Sequence, residues 1–543
     1  MATTDSKIAL AMPLGPFESL MRRKPIEDLI GGKTGLKRCL GLADVVAFGV
    51  GVCVGAGLFV TIGTAAKHAA GPAVVLSFAI AGFAAFLTAL CYAEMAAHPK
   101  LGQVTGSAYT YAYTTLGELA AFTNGWLLSL GYIFGGASVA RGWAYYTEGL
   151  LLVAGWPVAA SAFAERPLLL PFGIEFVLSP VAPVLVVLLT VVAAAGAQES
   201  STFNVVMACI NLVVIAAFIF GGAEEVSSSN YQPFMPFGIT GVVQGAAIVY
   251  FAFLGFDSVT ALAEETKDPS RTIPLGVMLT IMILIIVYVC TAAVLVGMVP
   301  LSDIDDSAPL AKAFDYHGST WLAVMVGMGA MSCCMANTLC STMGLPRILY
   351  RMAEDGLLPT QFKEVNPTTK VPVIGVVATG VATALFAGLS DFTALLTVTS
   401  IASLLVFNSV CVAKMLLRDP WALAPVGFYT TASFAFAAAL WYFSWHYWVV
   451  GMALTLTAVA MVWVRPAQHE LNLIPFGPLV PLVAILANNI MIVSLGPKAM
   501  IHTVLATLAG LTIYIFYGRK HSTLNAPQTA TEETPLAPRS TNA

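Results

Sequence analysis

The sequence predicts an all-α integral membrane protein, and three observations support this fold class. Hydrophobic residues make up 58% of the 543 residues and charged residues only 10%. The mean hydropathy is +0.84, whereas soluble domains carry roughly 25% charged residues, so a soluble fold is excluded. Apolar runs of about 20 residues, the length that crosses a bilayer as a helix, recur along the chain with short polar breaks.

Each of these apolar runs predicts one membrane-spanning helix, and about 14 runs are long enough. In chain order the predicted spans are 42–66, 72–95, 118–146, 178–196, 203–221, 241–263, 275–299, 320–345, 371–389, 392–417, 425–444, 446–464, 475–494 and 501–517. The division between spans 11 and 12 is the least clearly marked, because almost nothing polar separates them.

The predicted spans divide the chain into four parts. These are a cytoplasmic N-terminal segment (1–41), a ten-span core (42–417) made of two five-span blocks (42–221 and 241–417), four additional spans (425–517) and a cytoplasmic tail (518–543). In the N-terminal segment Phe17, Leu20 and Met21 are mixed with basic residues, which fits either an amphipathic helix on the membrane surface or a disordered lead. The tail is rich in Ser, Thr, Pro and Ala and is predicted to be disordered.

The distribution of basic residues predicts the orientation. An even number of spans places both termini on one side of the membrane. Termini in the cytoplasm leave only five of the 25 Lys and Arg residues outside, namely Lys67, Arg141, Arg166, Lys312 and Lys498. This asymmetry satisfies the positive-inside rule. We therefore expect a multi-pass protein with cytoplasmic termini, in the plasma membrane rather than a vacuolar or lysosomal membrane.

Several functional classes are excluded because their motifs are missing. The nine cysteines lie mostly within apolar runs without zinc or disulfide spacing, and the seven histidines are scattered singly, so no metal site and no cofactor are predicted. The sequence contains no Walker motif and no nucleophile–base pair, so neither an ATPase nor another enzyme is expected and no catalytic residue is named. No basic cluster with interleaved aromatic residues predicts a nucleic-acid partner. The lipid bilayer is the expected surrounding, and protein partners are left open.

The glycine-rich stretch GVGVCVGAGLF, from Gly49 to Phe59, interrupts predicted span 1. Each interior glycine costs a helix about 1 kcal/mol relative to alanine, so four of them favour an opened helix. Opened backbone is tolerated at membrane depth only where it faces protein or a water-filled cavity, and the first amides of the second half-helix attract a carboxylate. The alternative is a helix-packing seam, since Gly51 and Gly55 also form a small-xxx-small pattern.

Predicted span 6 contains a second interruption. It is apolar up to Phe256, and both Gly255 and the acidic Asp257 are predicted to lie at membrane depth. An ionisable residue there is a functional candidate by default, and the alternative is that Asp257 caps the amides of a broken helix. Because spans 1 and 6 each begin a five-span block, matching interruptions indicate a binding site at the interface of two repeats.

Several motifs carry a family resemblance from about Leu36 to His521. They include GVGVCVGAGLFV, AGPAVVLSFAIAGFAAFLTALCYAEMAA, GSAYTYAYTTLGELAAFTNGW, ASVARGW, NYQPFMPFGITGVVQGAAIVYFAFLGFDSVTALAEETKDPSRTIP and LPRILYRMAEDGLLPTQFKEVNPTTKVP. In this order they resemble the cationic amino acid transporter family of the amino acid–polyamine–organocation superfamily. PFGPLVPLVAILANNIMIVSL followed by YGRKHS is similar to the end of its 14-span members. The resemblance implies a leucine-transporter-like 5+5 inverted repeat in which spans 1 and 6 are discontinuous.

The resemblance also implies a substrate site at the two interruptions. The α-carboxylate of an amino acid is expected at the amides of Gly55, Ala56 and Gly57, and its α-ammonium group at carbonyls of both broken helices. The side chain is expected in a pocket formed by spans 3, 6, 8 and 10. The candidate substrate-binding residues are Val52, Cys53, Gly55, Ala56, Gly57, Gly135, Asn211, Phe251, Ala252, Leu254 and Gly255, and the candidate gating or coupling residues are Phe256, Asp257 and Glu94.

A polar run in span 8 offers further candidates for side-chain contacts. Its members are Ser332, Asn337, Thr338, Ser341 and Thr342. Hydrogen bonding between helices is the alternative role for these side chains.

Two departures from the family pattern bear on mechanism. Asn211 stands where some bacterial relatives have a lysine tied to proton coupling, and asparagine does not titrate. Gly131 stands where some relatives have a glutamate, which weakens the inference of a cationic substrate. We expect facilitative transport or exchange of arginine, lysine or ornithine. The alternatives are a neutral amino acid or polyamine transporter and a transporter-like nutrient receptor.

Two further features admit a functional and a plainer interpretation. The segments 264–271 and 346–356 both mix charges of either sign, so salt bridges between them could close an inner gate, or both could be solvated loops. Arg141 is expected to snorkel or to attend an outer vestibule.

Overall fold

A computed structural model describes residues 21–25, 40–98, 107–170, 174–196, 201–369, 371–418, 423–443 and 479–525. Three predictions fall wholly or mostly outside the described residues. They concern the N-terminal segment 1–41, span 446–464 and most of the tail 518–543.

The described part of the chain is almost entirely helical. The longer helices are α1 (Leu42–Cys53), α2 (Val74–Ala97), α3 (Ala108–Thr115), α4 (Glu118–Val153), α5 (Ala182–Ala194), α6 (Ser201–Gly222), α7 (Gly238–Val249), α8 (Pro269–Met298), α9 (Pro309–Tyr316), α10 (Thr320–Glu354), α11 (Val373–Leu389), α12 (Phe392–Arg418), α13 (Leu423–Phe443), α14 (Leu479–Ser494) and α15 (Pro497–Ile513). Short helical pieces that bear on the site are Ala56–Phe59, Thr61–Ala65, Ala66–Ala70, Tyr250–Phe253 and Phe256–Glu264.

One hairpin interrupts the helical pattern. Strands β1 (Arg166–Leu170) and β2 (Ile174–Leu178) pair antiparallel between α4 and α5, with Arg166 opposite Leu178. A short apolar run does not distinguish a strand from a segment of buried helix. The sequence therefore indicates only a connection between two spans here. Predicted span 4 accordingly loses its first residues, and α5 begins at Ala182.

The helices have the character expected of a membrane protein. Within the described residues, eight helical stretches are long and apolar enough to cross a membrane, and four shorter apolar helices, α1, α5, α11 and α14, accompany them. The all-α membrane architecture is therefore confirmed, whereas the total of about 14 spans stays a prediction.

Packing places the two interrupted spans at the centre of the core. Helix α2 packs along α8, α4 along α10 and α5 against α11, while α1 contacts both α6 and α8. The piece Ala56–Phe59, just after the first interruption, contacts the turn Tyr250–Phe253 of the second. The segments that the glycines open therefore face each other across the core.

Arg141 is part of a buried clamp rather than a snorkelling side chain. It is 0% exposed on α4, its Nε donates to the Ala387 carbonyl at 2.9 Å, and its guanidinium also contacts the Glu165 carboxylate and the Val177 carbonyl. The Tyr145 hydroxyl donates to the same carboxylate at 2.6 Å. The clamp joins α4, the hairpin and the end of α11.

The opposite end of α4 holds both termini of the described chain. Lys24 Nζ lies 2.6 Å from the Asp355 carboxylate, just after α10. The Glu118 carboxylate accepts the hydroxyls of Tyr514 at 2.9 Å and Ser522 at 2.6 Å, and Arg22 lies 3.6 Å from it. Two buried carboxylates thus bind the segments that precede the first span and follow the last.

The gate expected between segments 264–271 and 346–356 takes a different form. Among the described side chains no ion pair joins these segments; Asp355 pairs with Lys24, and Arg351 pairs with Glu354 within its own helix. The first of the two segments instead pairs with the start of span 1. Leu40 N donates to the Glu265 carbonyl at 3.0 Å, and Lys267 N donates to the Leu40 carbonyl at 3.1 Å.

Replacing Arg141 with leucine is expected to destabilise the fold by about 3 kcal/mol or more, because it removes the cation that pairs with the Glu165 carboxylate and the donor to two carbonyls. The measurement is the melting temperature of the detergent-solubilised protein. Arg351→Leu is the matched control, since its ion pair with Glu354 is exposed and such pairs contribute little. Equal melting temperatures for the two variants would contradict the clamp.

Candidate functional site

The first interruption lies where the glycine pattern predicts it. Helix α1 ends at Cys53, Val54 adopts an extended conformation with φ −71° and ψ 115°, and helical structure resumes at Ala56. The Gly55 carbonyl accepts the amides of Leu58 and Phe59 at 3.0 and 3.2 Å, so the helix restarts at this glycine. The amides of the first turn have no partner within the helix.

The second interruption lies at Leu254 and Gly255, again as predicted. Helix α7 ends at Val249, a 3₁₀ turn covers Tyr250–Phe253, and Leu254 is extended with φ −67° and ψ 142°. Gly255 follows with φ +112°, a conformation that L side chains rarely adopt, before a second 3₁₀ segment begins at Phe256. Glycine is the residue that reaches this region without strain.

The two interruptions touch at Gly57. A Cβ atom on Gly57 would lie 2.4 Å from the Cα of Ala252 and 2.9 Å from its nitrogen. Both neighbours are backbone atoms, which cannot rotate aside as a flexible side chain can. Glycine at 57 therefore sets how closely the two opened helices approach.

Tyr288 on α8 joins the two interruptions, and sequence reasoning missed it. Its hydroxyl lies 3.2 Å from the Cys53 carbonyl and 3.0 Å from the Ala252 carbonyl, so one donor serves both opened segments. The available signal was a tyrosine within an apolar span, since a buried tyrosine hydroxyl normally finds a partner.

Two side chains of α10 donate hydrogen bonds to backbone carbonyls at and just after the end of α1. Asn337 Nδ2 donates to the Val52 carbonyl at 3.1 Å, and the Cys333 thiol donates to the Val54 carbonyl at 2.9 Å. Each carbonyl oxygen carries two lone pairs, so these carbonyls retain capacity for an ammonium group. Of the polar run in α10, Thr338 and Thr342 donate to backbone carbonyls one turn earlier.

A cavity of about 120 Å³ lies between the interruptions, α4, α10 and α12. Eight of the predicted residues line it: Val52, Cys53, Gly57, Gly135, Phe251, Leu254, Gly255 and Asp257. Asn337 and Ser341, two of the span 8 candidates for side-chain contacts, line it as well. The lining residues that the sequence did not assign to the site are Leu128, Gly131, Tyr132, Val139, Ser258, Thr399, Ser403 and Phe407. The helical spacing on α4 and α12 was the signal for several of these, but it is shared by ordinary packing faces.

The cavity wall is mostly neutral. Asp257 is the one carboxylate among the described lining residues, and it lies in the first turn of the helical segment that begins at Phe256. A carboxylate is favourable at this end of a helix, so both the capping role and the functional role stay predictions. The other polar groups of the wall are hydroxyls and the amide of Asn337.

Other predicted residues are not among the described residues that line the cavity. Gly55 and Ala252 are both buried, and Ala56 begins the short helical piece after the first interruption. Asn211 is buried on α6 beside the Cys333 thiol, one side chain removed from the opened backbone. The Glu94 carboxylate lies 3.3 Å from Lys414 Nζ, in a pair between α2 and α12.

Phe256 belongs to an aromatic cluster at one end of the cavity. It is fully buried, and its ring centroid lies 5.6 Å from that of Tyr92 and 5.1 Å from that of Phe407. Phe407 itself lines the cavity. A side chain in this position packs against the cavity wall without facing the interior.

Residues 44–521 match the family model described as amino acid permease. The chain belongs to the amino acid permease family. It is 32% identical to a protein named "Cationic amino acid transporter 4, vacuolar" from Arabidopsis thaliana, covering 94% of this chain and 97% of the relative.

Two bacterial relatives are named for other substrates. The chain is 31% identical to the methylthioribose transporter of Bacillus subtilis, covering 94% of this chain and all of the relative (100%). It is 32% identical to the branched-chain amino acid permease BcaP of the same species, over 93% and 99%. The resemblance to cationic amino acid transporters is confirmed, and these permeases are named as transporters of different small molecules.

Replacing Gly57 with alanine is expected to abolish uptake, because the added methyl group would force the two interruptions apart. The measurement is uptake of labelled amino acid at matched surface expression. Gly427→Ala on α13 is the control, since a Cβ there meets no atom of the described residues within 4 Å. Normal uptake by the Gly57 variant would contradict an essential contact between the interruptions.

Replacing Tyr288 with phenylalanine is expected to lower uptake by about tenfold or more, since two buried carbonyls lose a shared donor. The Tyr231→Phe variant is matched to it, because that hydroxyl donates to the Ala293 carbonyl at 2.8 Å outside the cavity. Initial uptake rates of both variants at equal folded yield make the comparison. Similar rates would show that the bridge is dispensable.

Proposed function

We propose that the protein is an alternating-access amino acid transporter that binds the zwitterion between the two interrupted helices. The observation that carries the proposal is the contact of two opened backbones, at Gly57 and Ala252, beside a cavity lined by the two interrupted spans and by α4, α10 and α12. An amino acid presents one anionic and one cationic group, and opened helices supply a complementary pole for each.

The carboxylate is placed at the start of the helical segment that begins at Ala56. Its first amides, with those of Gly55 and Gly57, are donors without intrahelical partners, and the segment continues as helix through Ala70. The ammonium group is placed at the carbonyls that end α1 and the turn Tyr250–Phe253. Tyr288 and Asn337 hold these carbonyls in position.

The proposed architecture is a 5+5 inverted repeat. Its support is that each block begins with an interrupted helix and that corresponding helices pack in pairs, α2 with α8, α4 with α10 and α5 with α11. The third long helix of each block, 36 and 35 residues in α4 and α10, follows a helix of 8 residues. The basic-residue asymmetry supports cytoplasmic termini.

The plasma membrane is the proposed location, although the name of the Arabidopsis relative assigns that protein to the vacuole.

The proposed substrates are cationic amino acids such as arginine, lysine and ornithine. Their support is the name of the Arabidopsis relative and the presence of the Asp257 carboxylate at the cavity wall. A neutral amino acid is the second candidate, because the described wall apart from Asp257 is uncharged. Neutral Asn211 favours facilitation or exchange over proton coupling.

Accumulation of labelled arginine in proteoliposomes tests the proposal. We expect uptake that rises with a negative-inside potential, since each positive charge gains about 2.3 kcal/mol per 100 mV. Protein with Gly57→Ala is the inactive control. Competition by lysine, ornithine, leucine and putrescine ranks the substrate classes.

The alternatives predict different outcomes of that experiment. Arginine binding without accumulation would favour a nutrient receptor over a transporter. Uptake of leucine that is insensitive to potential and to lysine would assign the site to neutral amino acids. Each result would overturn one part of the proposal and leave the other standing.

A further inference from the structure

Three buried asparagines connect the additional spans to the core. Asn488 and Asn489 are adjacent on α14 and are 0% and 2% exposed, and Asn408 on α12 is 5% exposed. Helix α14 packs against α2, α7, α12 and α13. Primary amide side chains are rare in the apolar interior of a membrane protein, so the contacts that they make are informative.

The asparagines form one hydrogen-bonded network. Asn408 Nδ2 donates to the side-chain oxygen Oδ1 of Asn489 at 2.8 Å, and Asn408 Oδ1 accepts a hydrogen bond from Asn488 Nδ2 at 3.0 Å. Asn489 Nδ2 donates in turn to the Ser433 hydroxyl at 2.8 Å and the Thr430 carbonyl at 3.3 Å, both on α13. The amide of Asn408 is therefore held at both ends, which fixes the rotation of α12 about its axis.

Both ends of the network lead to the aromatic cluster beside the cavity. On α12, Asn408 directly follows Phe407, which lines the cavity and packs on Phe256. On α2, the Thr88 hydroxyl lies 3.5 Å from Asn488 Nδ2, one helical turn before Tyr92, whose ring packs on Phe256 as well. A rotation or slide of α12 against α14 would therefore move a wall of the cavity.

Stability alone does not account for this arrangement. Within the described residues the side-chain oxygen Oδ1 of Asn488 is buried without a hydrogen-bond partner. A buried acceptor that lacks a donor costs free energy of folding. Apolar residues packed in the same space would avoid that cost. Buried polar groups of this kind are best attested as devices that specify register.

We propose that Asn408, Asn488 and Asn489 are positioning residues that set the register of α12 against the additional spans and thereby the substrate affinity of the cavity. The inference rests on the proposed amino acid site. In this arrangement α13 and α14 are part of the substrate-binding device, because the wall that carries Thr399, Ser403 and Phe407 takes its position from α14.

Asn408→Leu tests the proposal by removing the centre of the network. Equilibrium binding of labelled arginine and of labelled leucine to the purified protein gives Kd, and uptake gives KM and kcat. We expect Kd and KM to rise by about tenfold with kcat changed by less than about twofold, the effect of losing a buried interhelical amide contact. Ser433→Ala, a smaller change at the far end of the network, is expected to raise Kd by about threefold.

Tyr429→Phe is the matched control, because the Tyr429 hydroxyl joins α13 to the Leu482 carbonyl of α14 at 3.0 Å without reaching α12. It is expected to leave Kd unchanged. A purely structural network would lower the yield of folded Asn408→Leu protein while the folded fraction kept wild-type Kd, which would overturn the proposal. If that variant does not fold, an unchanged Kd for Ser433→Ala has the same consequence. Binding shifts without any uptake by wild type would refute transport and leave the positioning role intact.

Discussion

The structure depends on one constraint: backbone polar groups in a bilayer must be satisfied without water. Two helices are nevertheless opened, at Val54 and at Leu254, so their carbonyls and amides need partners from within the protein. Tyr288 and Asn337 supply donors to the carbonyl side. In the proposed function the amide side at Ala56 receives the substrate carboxylate, so the two sides of the opened helices differ in chemical character.

Recognition through the backbone separates what all amino acids share from what distinguishes them. In the proposed function the opened helices bind the zwitterion, and the substrate side chain contacts a wall contributed by α4, α10 and α12. Gly131 and Gly135 leave room on the α4 side, opposite Ser403 and Thr399 on α12. A small number of changes in such a wall can alter the substrate, which fits relatives named for cationic, branched-chain and methylthioribose transport.

Apart from Asp257 in the cavity wall, the charged residues described above lie away from this centre and join helices to one another. Arg141 is buried in a clamp at one end of α4, and Glu118 anchors the terminal segments at the other. The pair of Glu94 and Lys414 joins α2 to α12. Because an unpaired charge in a low-dielectric interior is costly, each of these groups holds its neighbours in a defined position.

The sequence by itself determined the membrane architecture, the family and the two interruptions. Apolar length requires bilayer spans, and glycine at 55, 57 and 255 weakens a helix whatever surrounds it. Only the tertiary structure decided which distant side chains meet there. Tyr288, Thr399 and the asparagine network come from helices whose local sequence indicates no more than a buried face. Their roles follow from the packing of helices far apart in the chain, which no local pattern encodes.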